Sequence, residues 1–190
     1  MTNGWINNGD LLNLDGQNSN VTIHWKKFVG KKIFTKEENE WLSRMQDKDK
    51  LRLYKSYKTK LQLEKYLLNS DNSYGRSLHT SMRNGTNQLE IEKGRWSKIP
   101  KEQRLCTHCD SKEIEDEAHF ILVCSKYNNL RENMFNVIVR ISNGKWDLKK
   151  FPLQYQLRVL LIGTGDRFEE SVFKTFQSYL CKFMKSRNTS

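Results

Sequence analysis

Cys106, Cys109, His119 and Cys124 follow one another as Cys-x2-Cys-x9-His-x4-Cys. Three potential thiolates and one imidazole at this spacing are the donor set of a structural zinc site. A CxxC turn puts two sulfurs on one side of an ion, and the longer excursion brings the other two ligands back. One structural Zn2+ is therefore the expected cofactor. Four protein ligands complete a tetrahedron and leave no position for an activated water, so metal-centred hydrolysis is not expected. His108, between the first two cysteines, is expected to point away from the ion, toward solvent or nucleic acid. Cys181 lies 57 positions beyond Cys124 within the apolar pattern of a helix and reads as a small buried hydrophobe.

No second chemical constellation stands out. The sequence contains no GxxxxGK(S/T), G-x-G-x-x-G, HExxH or G-x-S-x-G motif. No catalytic residue is assigned, no small-molecule substrate is expected, and the chain reads as a non-enzyme. What the flanks of the metal motif carry is positive charge. Residues 76–104 hold seven Lys or Arg against three acids and residues 26–65 hold thirteen against six, whereas residues 105–130 are net −3. Phosphate contacts are thus expected beside the knuckle rather than on it, at Arg83, Lys93, Arg95, Lys98, Lys101 and Arg104, with Trp96 as a platform for an unpaired base. Trp25 beside Lys26 and Lys27 is a further ring interleaved with charge, while Tyr54 and Tyr57, beside Lys55 and Lys58, and Trp96, after Arg95, admit two readings. They are rings that stack on bases, or core residues of helices whose lysines form the solvated face.

The whole chain supports a polyanionic partner. Its 190 residues carry 33 Lys or Arg against 22 Asp or Glu, a formal charge of +11, and long-range attraction with counterion release then favours RNA or DNA. No apolar run approaches the ~18 residues of a membrane span, and the basic segments lack an opposing apolar face, so no membrane partner is expected. No secretory signal is expected either. The compartment implied is intracellular and reducing, nuclear or cytoplasmic, with the cysteines as thiols or metal ligands rather than disulfides.

The elements that must position these residues read as helices. Residues 1–30, rich in Asn and Gly, are expected to be a flexible lead-in. Thr35 with Glu38 three residues on forms a capping box, where a helix should begin, and a second helical pattern runs through Leu51, Tyr54, Tyr57, Leu61, Tyr66 and Leu68. A short helix from about Tyr74 to Arg83 stops at Asn84-Gly85. Leu89 and Ile91 alternating with Glu90 and Glu92 suggest a short strand. Asp116 or Glu115 can start a helical turn that projects His119 at the metal while Phe120 and Leu122 pack beneath it. Helical patterns then cover Lys126 to Ile141, Phe151 to Ile162 and Asp166 to Met184. The expected fold class is mainly α, a helical domain with one small zinc-knuckle (Cys-Cys-His-Cys) module and short extended segments. Its expected divisions are a lead-in at 1–30, a basic helical segment at 31–85, the knuckle with its flanking helix at 86–142, and a C-terminal helical segment at 145–190.

One stretch is similar to a known family. Met82-Arg83-Asn84-Gly85-Thr86-Asn87, Leu89-Glu90-Ile91-Glu92-Lys93-Gly94-Arg95-Trp96, Arg104-Leu105-Cys106-Thr107-His108-Cys109, Ile114-Glu115-Asp116-Glu117-Ala118-His119-Phe120, Cys124, Tyr127 and Leu130-Arg131 carry the likeness. Together they resemble the C-terminal zinc-binding region of non-LTR (LINE-type) retrotransposon reverse transcriptases. The resemblance implies that Cys106, Cys109, His119 and Cys124 occupy zinc-ligand positions. It also implies a region that follows a polymerase domain and helps bind RNA template or target DNA during target-primed reverse transcription. The chain has no Tyr-x-Asp-Asp signature and no endonuclease domain, so it is expected not to polymerise alone. A stand-alone descendant and a piece of a longer reading frame both fit.

The leading expectation is thus a zinc-binding, nucleic-acid-binding domain. The alternative is a zinc-stabilised protein-interaction module that docks on the remainder of a reverse transcriptase or another partner through the aromatic face Phe168, Phe173, Phe176, Tyr179 and Phe183. Burial of that stripe within the chain would remove the alternative's surface.

Overall fold

Helix α1 runs Ser19–Gln46 without a break at Thr35. The Thr35 hydroxyl donates to the Lys31 carbonyl four residues back at 2.9 Å, the bond a threonine makes inside a helix rather than at its start. The expected capping box is therefore not a helix start. The computed structural model describes residues 19–69 and 71–189, so residues 1–18 of the expected lead-in lie outside the described residues, and the remainder of it belongs to α1.

Among the described residues the other α-helices are α2 (Arg52–Tyr57), α3 (Ser73–Asn84), α4 (Glu90–Trp96), α5 (Asn128–Ile141), α6 (Leu153–Ile162) and α7 (Glu169–Asn188). Among the described residues there is no strand, only an isolated antiparallel bridge between Leu105 and Ile114. No helix among them is long and apolar enough to cross a membrane. Two compact units divide the chain, one up to Arg44 and one spanning Met45–Ser190. All four candidate metal ligands lie in the second.

The second unit is organised on α7. Glu169 and Glu170 in its first turn and Lys185 and Arg187 in its last complement the helix dipole. Val172, Phe176, Leu180 and Phe183 form its fully buried stripe and pack with residues of α3, α5 and α6. The aromatic face read as a possible docking surface is thus part of this chain's own core. Phe173, Phe176 and Phe183 are buried, and Phe168 and Tyr179 pack half-buried against the same cluster. Each ring fully removed from water contributes roughly 1.5–3 kcal/mol. Met82, Leu89, Phe120, Tyr127, Ile138, Leu160 and Phe176 share one core, so the divisions expected near 85 and 143 do not separate packed units.

α3 has both of its ends specified. The Asn72 side chain accepts from the Gly75 N–H at 2.8 Å, an N-cap. At the other end Gly85 takes a left-handed φ of 61°, and a Cβ there would collide with the Lys50 carbonyl oxygen. Asn84-Gly85 ends the helix as the sequence suggests. α5 stops likewise at Asn143 and Gly144, both with positive φ.

Two local expectations fail for a shared reason. Leu89–Glu92 is not a strand but the start of α4. Alternation implied outward-facing acids, yet Glu92 is buried, paired with Arg95 at 2.8 Å and Arg52 at 3.8 Å. The second helical pattern keeps only Arg52–Tyr57 as α-helix, with a 3-10 turn at Lys65–Leu68. Between them the chain folds around an ionic cluster, Lys58 donating to the Gln62 carbonyl at 2.5 Å and to Glu64. Pairing of buried charge, with Arg52 from another segment in the first place and within the loop in the second, overrode periodicity.

Candidate metal centre

The knuckle is built on one extended pairing. The Cys106 N–H donates to the Glu113 carbonyl at 2.8 Å and the Glu115 N–H to the Arg104 carbonyl at 3.0 Å. These bonds close residues 106–113 into a hairpin loop, with Lys112 at a left-handed φ of 56°. The loop holds Cys106 and Cys109 on one side. Asp116 then caps the next turn, its Oδ1 accepting from the His119 N–H at 2.8 Å. That turn, His119–Val123, has π-helical geometry. The Cys124 N–H reaches back five residues to the His119 carbonyl at 2.7 Å, so the fourth ligand returns to the first three.

The result brings all four sequence-chosen ligands together. The Sγ atoms of Cys106, Cys109 and Cys124 and one ring nitrogen of His119 all lie within 4.8 Å of one another. Cys106 Sγ stands 3.9 Å from Cys124 Sγ, and Cys109 Sγ stands 3.4 Å from His119 Nε2. Ligands on a tetrahedral zinc at ~2.3 Å (S) and ~2.0–2.1 Å (N) are themselves about 3.8 Å (S to S) and 3.6 Å (S to N) apart. These two edges are close to those values, and four donors within 4.8 Å of one another can hold one metal ion.

Its surroundings orient the ligands. His119 Nδ1 lies 3.0 Å from Glu113 Oε2 and Nε2 lies toward the sulfurs, 3.4 Å from Cys109 Sγ. A carboxylate in this position fixes the tautomer of a metal-binding histidine and raises its basicity. Arg131, buried on α5, donates from Nη2 to the Cys124 carbonyl at 2.7 Å and from Nε to the Ile121 carbonyl at 3.0 Å. Its charge sits beside a donor set that, as three thiolates around a dication, is net −1. Burial pushes the Cys106 thiol up and that of Cys124 to about 12. In Cys109 the effect of burial is outweighed by hydrogen bonds from Ser111 and the other two sulfurs, which draw it down to about 6. Beneath the site Phe120 packs edge-on against Tyr127 at 5.0 Å and tilted against Phe183 at 5.7 Å, so the metal turn is seated on the core.

His108 stays out of the ligand cluster. Its N–H donates to Cys106 Sγ at 3.4 Å, and its ring faces Lys126. Cys181 also lies outside, half-buried on α7 with its thiol donating to the Gln177 carbonyl at 3.2 Å. Four of the five local acids have defined roles: Glu113 on His119, Asp116 as a cap, Glu115 on Arg187 at 2.8 and 3.1 Å, and Glu117 on Arg52 and Asn87. The sequence reading registered them only as a net charge and a helix-start preference. A histidine six residues from a glutamate was the one visible signal for Glu113, and Arg187 gave none.

The residues nominated for phosphate separate into two groups. Arg83 is overturned. It is buried on α3, donating from Nη1 to Glu64 at 2.6 Å and lying over the Tyr66 ring at 4.8 Å. Arg104 is half-buried and spends Nε and Nη1 on the Ile99 and Ile91 carbonyls at 2.9 Å each, tying α4 to the knuckle. By contrast Lys93, Trp96, Lys98 and Lys101 are exposed. Lys93 pairs with Glu90 at 3.1 Å. Trp96 is 76% exposed, with the Arg95 guanidinium 4.9 Å from its ring centre. Tyr54 and Tyr57 are half-buried in the second unit, Tyr54 under Arg83 and Tyr57 against the core, which favours the core reading for both.

The fold and site together define a mainly helical protein carrying a Cys-Cys-His-Cys cluster that can hold a metal ion. No family model, no curated protein and no solved structure matches the chain.

Proposed function

We propose that this protein is a zinc-stapled nucleic-acid-binding domain, with one structural Zn2+ on Cys106, Cys109, His119 and Cys124. The surface of α4 and the following loop engages an unpaired strand of RNA or DNA. Zinc follows from the donor set, since three thiolates and an imidazole at tetrahedral spacing select a borderline-soft ion with no geometric demand of its own. The single observation that carries the nucleic-acid reading is Trp96, a large ring left in solvent with a guanidinium over it, ten positions before the first ligand. Ring and cation in this arrangement stack on a base and meet its phosphate, with Lys98 and Lys101 exposed on the adjoining loop. The likeness to the zinc-binding tail of non-LTR reverse transcriptases supports the same reading and suggests RNA template or target DNA as the strand. Burial of the α7 aromatic stripe leaves the protein-docking alternative without its surface.

The test is metal content by elemental analysis of the reduced chain, followed by a salt titration of binding to single-stranded RNA and DNA. One zinc per chain and steeply salt-dependent binding that weakens at least tenfold in Trp96→Ala is the expected result. A metal-free but folded chain, or binding indifferent to Trp96, refutes the reading.

A further inference from the structure

α1 carries a second, separate charge feature. From Ser19 to Lys36 the helix holds five lysines, at 26, 27, 31, 32 and 36, and no acid. All five are exposed, and so are Ile23, Phe28, Ile33 and Phe34. At roughly 100° per residue, Lys26, Lys27, Lys31 and Lys32 stand at about 0°, 100°, 140° and 240° around the axis. On the same count Ile33, Ile23 and Phe34 stand at about 340°, 60° and 80°, an arc they share with Lys26 and Lys27, and Phe28 stands at about 200°, so apolar and cationic residues are interleaved rather than segregated into faces. A bilayer surface touches one side of a helix and rewards a segregated apolar face. α1 offers it none.

A groove touches a helix from both flanks. We propose that α1 is a duplex-DNA-binding helix that lies in the major groove, with Lys26, Lys27, Lys31 and Lys32 meeting phosphates of both walls. Charge complementarity commits the occupant, and shape selects DNA. The B-form major groove is about 12 Å wide and accepts an α-helix of ~10–12 Å diameter, whereas the A-form major groove of duplex RNA is too deep and narrow. Lys27 and Lys31 repel each other at i,i+4, an arrangement that weakens an isolated helix and that a polyanion relieves. Trp25 stacks on Phe28 at 6.0 Å, and Lys32 lies over the Phe28 ring at 5.5 Å. This site is independent of the α4 surface and takes a different form of nucleic acid.

The experiment compares the full chain with Lys26→Gln/Lys27→Gln/Lys31→Gln/Lys32→Gln, helicity checked by circular dichroism. Probes are a duplex DNA of about two helical turns, a duplex RNA of equal length, a single strand, and phosphatidylserine vesicles. The expected result is a loss of at least tenfold in duplex-DNA affinity and a salt slope flatter by about 3 to 4, from 0.9 per phosphate contact. Single-strand binding should be retained. Unchanged duplex-DNA binding in the variant, no duplex-DNA binding by the parent chain, an equal loss on duplex RNA, or a loss confined to vesicles would each overturn the inference. Because Trp96→Ala acts on the single strand alone, failure of one site is read separately from failure of the other.

Discussion

Arg187, in the last turn of α7, forms a two-pronged pair with Glu115 of the knuckle, Nε to Oε1 at 3.1 Å and Nη2 to Oε2 at 2.8 Å, across 72 residues of sequence. Both side chains are buried, and Glu115 Oε2 also accepts from the Glu90 N–H at 2.8 Å. One carboxylate thereby ties the C-terminal helix, the start of α4 and the metal loop together. Removing one partner of a buried pair leaves the other charge uncompensated, at a cost of about 3–5 kcal/mol. Arg187→Ala is expected to lower the denaturant midpoint accordingly. Replacing both partners by Leu and Met should recover much of the loss, which a double-mutant cycle measures.

Metal removal should act locally before it acts globally. Binding to such knuckles is worth about 10–16 kcal/mol of apparent free energy that appears as folding energy. The helices α3, α5, α6 and α7 nevertheless have their own apolar core. Cys106→Ser or a strong chelator is therefore expected to abolish metal content and hydrogen-exchange protection over residues 105–124 while most of the far-ultraviolet helix signal persists. Glu113→Gln, which spares all four ligands, should weaken metal affinity about 10- to 100-fold. A chelator competition series gives that number.

Buried and exposed cations near α4 make opposite predictions. Arg83→Ala breaks the pair with Glu64 inside the core and should cost about 3 kcal/mol of stability with no change in the salt slope of strand binding. Lys98→Ala with Lys101→Ala, both exposed beyond α4, should leave the thermal midpoint within a few degrees. It should flatten the single-strand slope by about 1.4, from 0.7 per contact. Interchanged outcomes would reverse the assignment of these surfaces.

His79 should give the protein an acid limit. It is fully buried, stacked on Tyr66 at 4.1 Å, and its Nε2–H donates to the Leu161 carbonyl at 2.9 Å. Burial first, and Arg83 second, outweigh the Leu161 bond and Glu64 and hold its pKa down at about 3. The unfolded chain then takes up a proton that the folded chain refuses. The stabilisation is complete above pH 6.5 and falls as pH drops toward 3, by about 1.4 kcal/mol per unit, or roughly 2 kcal/mol between pH 6.5 and 5. His79→Gln should flatten this part of the stability profile. Denaturant melts at three pH values decide it.

How much was legible follows from the range of each interaction. The ligand set Cys106, Cys109, His119 and Cys124 could be read because metal coordination in a knuckle is local: a CxxC turn and one capped helical turn supply all four donors within nineteen residues. The stops at Gly85, Asn143-Gly144 and Gly163 were legible for the same reason, since a left-handed or otherwise Gly-favouring backbone is a property of single residues. The mainly α class followed from apolar spacing alone.

What only the tertiary structure decided concerns charges and exposure. Arg83 and Lys98 are both cations in basic surroundings, yet one is enclosed by Glu64, Tyr54 and Tyr66 and the other is exposed. No local pattern separates them, because burial of a charge depends on partners tens of residues away. The Leu89–Glu92 segment turned helical, Glu92 turned inward, and the α7 aromatics closed on α3 and α5 by the same logic. Sequence by itself determines what short-range geometry can specify, here the four candidate ligands and the helix stops at Gly85, Asn143-Gly144 and Gly163. The fold decides which side chains keep their contact with water, since that depends on what long-range packing brings against them.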